Sequence, residues 1–394
     1  MSLGTPADLL SSAPHAIKKG PHQLKLALRS SQKHGTPGYT EGAGAIVEAD
    51  GNMLVAQNGT PVYASVHFNA SYAQTAKQNL LITGAFDANA QKDDYFSVGA
   101  AVFKATWLAL NPATQSWAAG TYSTPPPTGA YVTQAQVPVL TAEVIDGFTI
   151  IHPVIPQKLV TINVALVGLH VVGYANNHPE FLWGTFEHNL NAPMIPDNTF
   201  TTALTPDPKN YTFYSGGTPY TKVNLANQNP GTTPTLNVAT QTLSPVTNVV
   251  LLNATGGENF SPKGPANIAA LNAAGQAFFA SQTNPTQALF ANYRLIGTVW
   301  LKPNSYSVKT TAADAVGSVN LANSTAETFQ QVATNAVAKN NQNCFSCHNA
   351  TSYSYQAIPH AVRRVAISHV LSQGLPAYGV PNQIPSLPLI PGLK

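Results

Sequence analysis

The stretch "LVTINVALVGLHVVGYANNHPEFLWGTFEH", residues 159–188, decides how the chain is read. β-Branched and aromatic residues dominate both halves, and Asn176-Asn177-His178-Pro179 separates them with turn chemistry. Two long strands joined as an antiparallel hairpin follow. Runs of the same kind recur at "GTPVYASVHF" (59–68), "SVGAAVFKATWLAL" (97–110), "VTNVVLLNA" (246–254) and "YRLIGTVWLK" (293–302). Between them lie long loops rich in Pro, Gly and Asn, such as "STPPPTG" (123–129) and "TPDPKNYTFYSGGTP" (205–219). One helix is predicted over "NIAALNAAGQAFFASQ" (267–282), and no internal repeat is found.

The expectation is an α+β protein. Residues 1–40 form an irregular N-terminal segment. A mainly antiparallel, sandwich-like β domain spans 41–310, and a small α-helical segment spans 311–394.

Within the hairpin, parity matters because side chains alternate faces along a strand. His170, Glu180 and His188 are all even-numbered. In a register where paired numbers sum to an even value they share a face, and with His178 they form a candidate metal-binding group or the distal wall of a cofactor. An odd-sum register scatters them. The bland alternative is a polar patch that hydrogen-bonds internally.

The helical segment carries the strongest chemical signal. The chain has only two cysteines, and both fall in Cys344-Phe345-Ser346-Cys347-His348. C-x-x-C-H is the attachment pattern of c-type haem. The two thiols form thioethers with the haem vinyl groups, and the adjacent His348 supplies the proximal nitrogen to iron. A structural zinc site needs four ligands, usually two such pairs, and only one pair exists. A redox dithiol calls for a βαβ setting that is missing here.

Ser324 and Glu327 read as a capping box opening a helix that leads into the pentapeptide. Phe329, Val332, Ala333, Ala336 and Val337 line one face of that helix. A second helix is predicted over "IPHAVRRVAISHVLSQG" (358–374), ending at Gly374. The methionines, Met1, Met53 and Met194, all lie far upstream, so no downstream methionine is available as sixth ligand. His369 lies in an apolar stripe with Val362, Val365, Ala366 and Val370, and is the candidate distal ligand; the alternative is a satisfied core histidine. Arg363 and Arg364 suit haem propionates or solvent.

Composition bounds the rest. Charged residues make up 9% of the 394, against the ~25% of ordinary soluble domains. The net charge is +3, with no basic block able to track phosphates, so nucleic acid is not an expected partner. No run of about 18 apolar residues occurs, and an integral membrane protein is not expected. "MSLGTPADLL" lacks the features of a secretory signal. Covalent haem attachment takes place outside the cytoplasm, so the expectation is a mature periplasmic or extracellular chain.

Three further segments, "HPEFLWGTFEHNLNAP" (178–193), "VNLANSTAETFQ" (319–330) and "NCFSCHN" (343–349), carry a resemblance. The chain resembles exported bacterial proteins of a cytochrome c family over roughly residues 50 to 375. The resemblance implies one covalent haem c and an exported location. It also favours a role for the hairpin positions His178, Glu180, Trp183, Glu187 and His188, without naming one. The leading functional expectation is electron transfer to or from a redox protein or a small-molecule donor or acceptor. The alternatives are a haem enzyme of peroxidase or oxygenase type with an open distal site, and a binding module that carries a haem.

Overall fold

The computed structural model describes residues 24–30, 46–47, 53–74, 97–145, 148–176, 178–225, 234–253, 263–302, 315–318, 321–329, 331, 354–355 and 358–359. Its strands begin with β1 (Leu24–Lys25), β2 (Ala27–Ser30) and β3 (Ile46–Val47). Then come β4 (Val62–Phe68), β5 (Ala101–Ala109) and β6 (Val132–Pro138). A two-stranded hairpin, β7 (Leu140–Ile145) and β8 (Phe148–Pro153), precedes the two longest strands, β9 (Leu159–Ala175) and β10 (His178–His188). Short strands β11 (Met194–Pro196), β12 (Thr235–Asn237), β13 (Thr242–Ser244) and β14 (Leu251–Asn253) pair in two small ribbons. They lead to helix α1 (Gly264–Ala280) and strands β15 (Tyr293–Leu301) and β16 (Ala315–Gly317).

The protein is β-rich and mainly antiparallel with few helices, as the sequence leads one to expect. Its layers come from one sheet of ten strands that curls on itself. β9 is long enough to hold three neighbours. Along one side it pairs with β5; along the other it pairs first with β6 and then, in its second half, with β10. β1 pairs with β6 and β2 pairs with β4. The run 24–30 therefore joins the two edges of β4–β5–β9–β6.

This closure encloses Leu26, Leu28, Tyr63, Trp107, Val137, Ile162 and Val164 in an apolar interior. Both faces of β9 between Val160 and Val167 are covered, which explains its near-continuous run of Val, Ile and Leu where a half-exposed strand would alternate. β10, β15 and β16 continue the sheet as a wing. Phe68, Val102, Val172, Trp183, Val299 and Leu321 form a second apolar cluster.

The predicted helix is present as α1. It protects the free edge of β15, because Asn272 brackets Leu295: its Nδ2 donates to the Leu295 carbonyl (2.8 Å) and its Oδ1 accepts from the Leu295 N–H (2.6 Å).

Residues 324–329 form turns rather than the expected helix start, and the remainder of that predicted helix lies outside the described residues. Ser354–Tyr355 (β17) pairs with Ile358–Pro359 (β18), so the second predicted helix does not begin at Ile358; its remainder also lies outside them.

Candidate functional site

One face of β5, β9, β10 and β15 is covered by a polar strap, residues 321–329 with Gln331. All of these are buried except Glu327 and Phe329, which are partly so. Two glycines let the strap approach the sheet. A Cβ on Gly168 would collide with the hydroxyls of Thr106 and Thr325, and one on Gly297 would collide with Ser318 and Leu321.

Asn323, Ser324, Thr325 and Glu327 each meet a partner on the sheet. Asn323 Nδ2 donates to Thr185 Oγ1 (2.9 Å) and to the Phe186 carbonyl (3.1 Å). Thr325 gives its hydroxyl proton to Asn323 Oδ1 (2.7 Å), which leaves Thr106 as the donor in the 2.6 Å contact between the two threonines. Ser324 donates both its backbone N–H and its hydroxyl (2.8 Å) to the carboxylate of Glu187. Glu327 accepts from His170 Nε2 at 2.9 and 3.1 Å. Farther along, Asn224 Nδ2 donates to the Thr328 carbonyl (2.5 Å), and Gln331 is bonded to the backbone of both Val250 and Leu252.

In place of the expected capping box, Asn323 and Glu327 close a turn between them. Asn323 Oδ1 accepts from the Thr325 N–H (2.9 Å), and Glu327 reaches back to the Asn323 N–H (2.9 Å). Ser324, the expected cap, is committed to Glu187 instead.

The electrostatics divide the two carboxylates. Glu187 is fully buried, and loss of hydration raises its pKa against the opposing pull of Arg294, Ser324 and Asn191. Burial also acts to raise Glu327. There the charge and hydrogen bond of His170, then Lys104 and the Asn323 N–H, outweigh it and hold the carboxyl at about 2. Two acids on one sheet face are thus driven apart.

The expected hairpin group does not converge. Between Leu182 and Glu187 the β9–β10 register sums to odd numbers, with Thr185 opposite His170 and Glu187 opposite Gly168. His170 therefore shares its face with Trp183, Thr185 and Glu187, while His188 points to the other side. The sum is odd already where His178 pairs with Ala175; the irregularity between His178 and Leu182, where Phe181 adopts a left-handed φ of 66°, displaces the strands by two and leaves the parity unchanged.

His188 is buried edge-on against Tyr293, with ring centroids 5.1 Å apart, and its Nδ1 accepts from the Leu190 N–H (3.2 Å). Burial lowers its pKa to about 4, opposed by the Thr128 carbonyl and aided by Arg294, so the ring is neutral at neutral pH. His178 pairs with Ala175 at the start of β10 and is partly exposed. The Glu180 side chain lies outside the described residues, as do Cys344, Cys347, His348 and His369. No group of three or more His, Cys, Asp or Glu side chains is placed to share a metal ion among the described residues.

Sequence reasoning missed the strap, reading Asn323-Ser324-Thr325 as a helix start alone. It also passed over Arg294, the cross-strand neighbour of Glu187. Nε and Nη2 of Arg294 are buried and meet no hydrogen-bond partner. Two unmatched donors along one edge of a guanidinium suit a carboxylate.

No family model, no curated protein and no solved structure matches this chain. No helix among the described residues is long and apolar enough to cross a membrane.

Proposed function

We propose that the protein is a c-type cytochrome that transfers electrons in the periplasm or outside the cell. In this reading one haem c is bound through Cys344 and Cys347 and ligated by His348. The observation that carries it is the placement of both cysteines of the chain in C-x-x-C with histidine next. When bound, the haem supplies a one-electron couple, and the chain sets its potential through axial ligand, burial and hydrogen bonds. The helical haem segment, its membership of the exported cytochrome c family and its location outside the cytoplasm belong to this proposal.

The strap supports it indirectly. Gln331 is bonded to Val250 and Leu252, and only the residues between 331 and 344 separate that anchor from the first cysteine. At roughly 3.5 Å per residue, the attachment point stays within about 45 Å of the sheet. In this reading that length is the upper limit on how far the haem lies from the β domain.

The test is export in a host that attaches haem c. Mass spectrometry of the purified chain should show the mass of one haem, lost in Cys344→Ala/Cys347→Ala. The spectrum should be that of a six-coordinate low-spin haem indifferent to cyanide and peroxide. A properly exported chain holding zinc on free thiols would remove the reading. A high-spin haem that rapidly binds small ligands would turn it toward an enzyme.

A further inference from the structure

We infer that Arg294 is an anion-binding residue, whose guanidinium takes one carboxylate at the corner where the end of β10 meets the start of β15. Three observations lead there. First, the two unmatched donors, Nε and Nη2, are the adjacent N–H groups along one side of the guanidinium, the pair that engages both oxygens of a carboxylate at once. Second, the carboxylate set opposite in the strand ladder, Glu187, spends its two oxygens on the N–H and hydroxyl of Ser324. The acid that register offers to the arginine is thus engaged by the strap. Third, Asn191 lies beside Glu187, and its Oδ1 is also buried without a partner, while its Nδ2 is held by the Val167 carbonyl (2.7 Å). Two donors and one acceptor are thus left over on the two residues that act on Glu187. A carboxylate on the fork, with a hydroxyl or water proton reaching Asn191, satisfies all three.

A structural guanidinium would be expected to use its fork within the protein, because an unpaired buried cation is costly. Arg294 as a whole is only partly buried, so the corner is not sealed from an approaching anion.

A carboxylate can come from two sources: a propionate of the haem, which rests on the cytochrome reading, or a free small carboxylate, which does not. Acetate is the probe. It is titrated by calorimetry, at ionic strength fixed with chloride, into the haem-loaded chain and into the haem-free Cys344→Ala/Cys347→Ala chain. The comparison variant is Arg294→Lys, which keeps the charge and loses the fork.

If the carboxylate is free, both forms bind acetate saturably, and Arg294→Lys weakens binding about 10- to 100-fold. If it is a propionate, only the haem-free form binds acetate, and Arg294→Lys changes the reduction potential of the loaded form and its pH dependence. Should the haem-free chain fail to fold, the loaded form decides by the same two readouts. The inference is overturned if neither form binds acetate more tightly than its lysine variant and the potential is unmoved. A chain that takes up no haem yet binds acetate through Arg294 would retire the cytochrome reading and leave this one standing.

Discussion

The carboxylate of Glu187 receives both the backbone N–H and the hydroxyl of Ser324, a residue 137 positions further along the chain. This contact fastens the strap to β10, and the first two predictions concern it.

Ser324→Ala removes the hydroxyl and leaves one oxygen of a buried carboxylate unmatched. The expected loss is about 1–3 kcal/mol in denaturant unfolding. Hydrogen exchange over residues 321–331 should accelerate more than exchange in β9. Equal acceleration everywhere would show that the strap is no separate unit.

Glu187→Gln tests the charge. Burial raises the folded-state pKa of Glu187 above its unfolded value, so the folded protein holds this proton more tightly. Stability from this group is then full below the ordinary carboxylate range and falls as pH rises through the raised value. The glutamine variant should lose that decline. Identical pH–stability curves above pH 4.5 would contradict it.

His188 acts over a different window. Its folded pKa of about 4 lies below the unfolded value of 6.5, so the unfolded chain binds the extra proton first. Stability is complete above 6.5 and erodes as pH falls toward 4, by up to about 3 kcal/mol. His188→Asn keeps an acceptor for the Leu190 N–H and should flatten this part of the curve, measured by thermal melts between pH 4 and 7.

Gly168→Ala forces a methyl group into the hydroxyls of Thr106 and Thr325. Overpacking of this kind costs about 1–3 kcal/mol. Combining it with Thr325→Ser, which leaves the crowding oxygen in place, should recover little. Combining it with Thr325→Ala should recover more, as read from the unfolding midpoint.

His369→Ala addresses the proposed haem. With histidine as second axial ligand, the potential should lie below that of a His/Met cytochrome. The alanine variant should convert the low-spin spectrum to high spin and admit cyanide. An unchanged spectrum would move the sixth ligand elsewhere.

Legibility of the sequence follows the range of the interactions. β9, β10, β15 and α1 were readable because their propensities and apolar periods are local. Closure of the sheet by residues 24–30 was not, since those residues carry no signal of which distant edges they join. The separation of His170 from His188 turned on the odd-sum register of the hairpin, present already where His178 pairs with Ala175, which residue alternation cannot reveal. Glu327 reads in the sequence as the acid of a capping box opening a helix; the structure has turns there, and Glu327 closes one of them on the Asn323 N–H because a buried carboxylate on another strand claims Ser324.

The closure of the curled sheet also sets a timescale. Leu24 must find Ala135 and Ala27 must find Ala64, while Asn323 seats against Thr185. Closing such long loops precedes any energetic return, and chains dominated by distant pairings fold over milliseconds to seconds rather than microseconds. The strap cannot settle until β5, β9 and β10 have assembled beneath it.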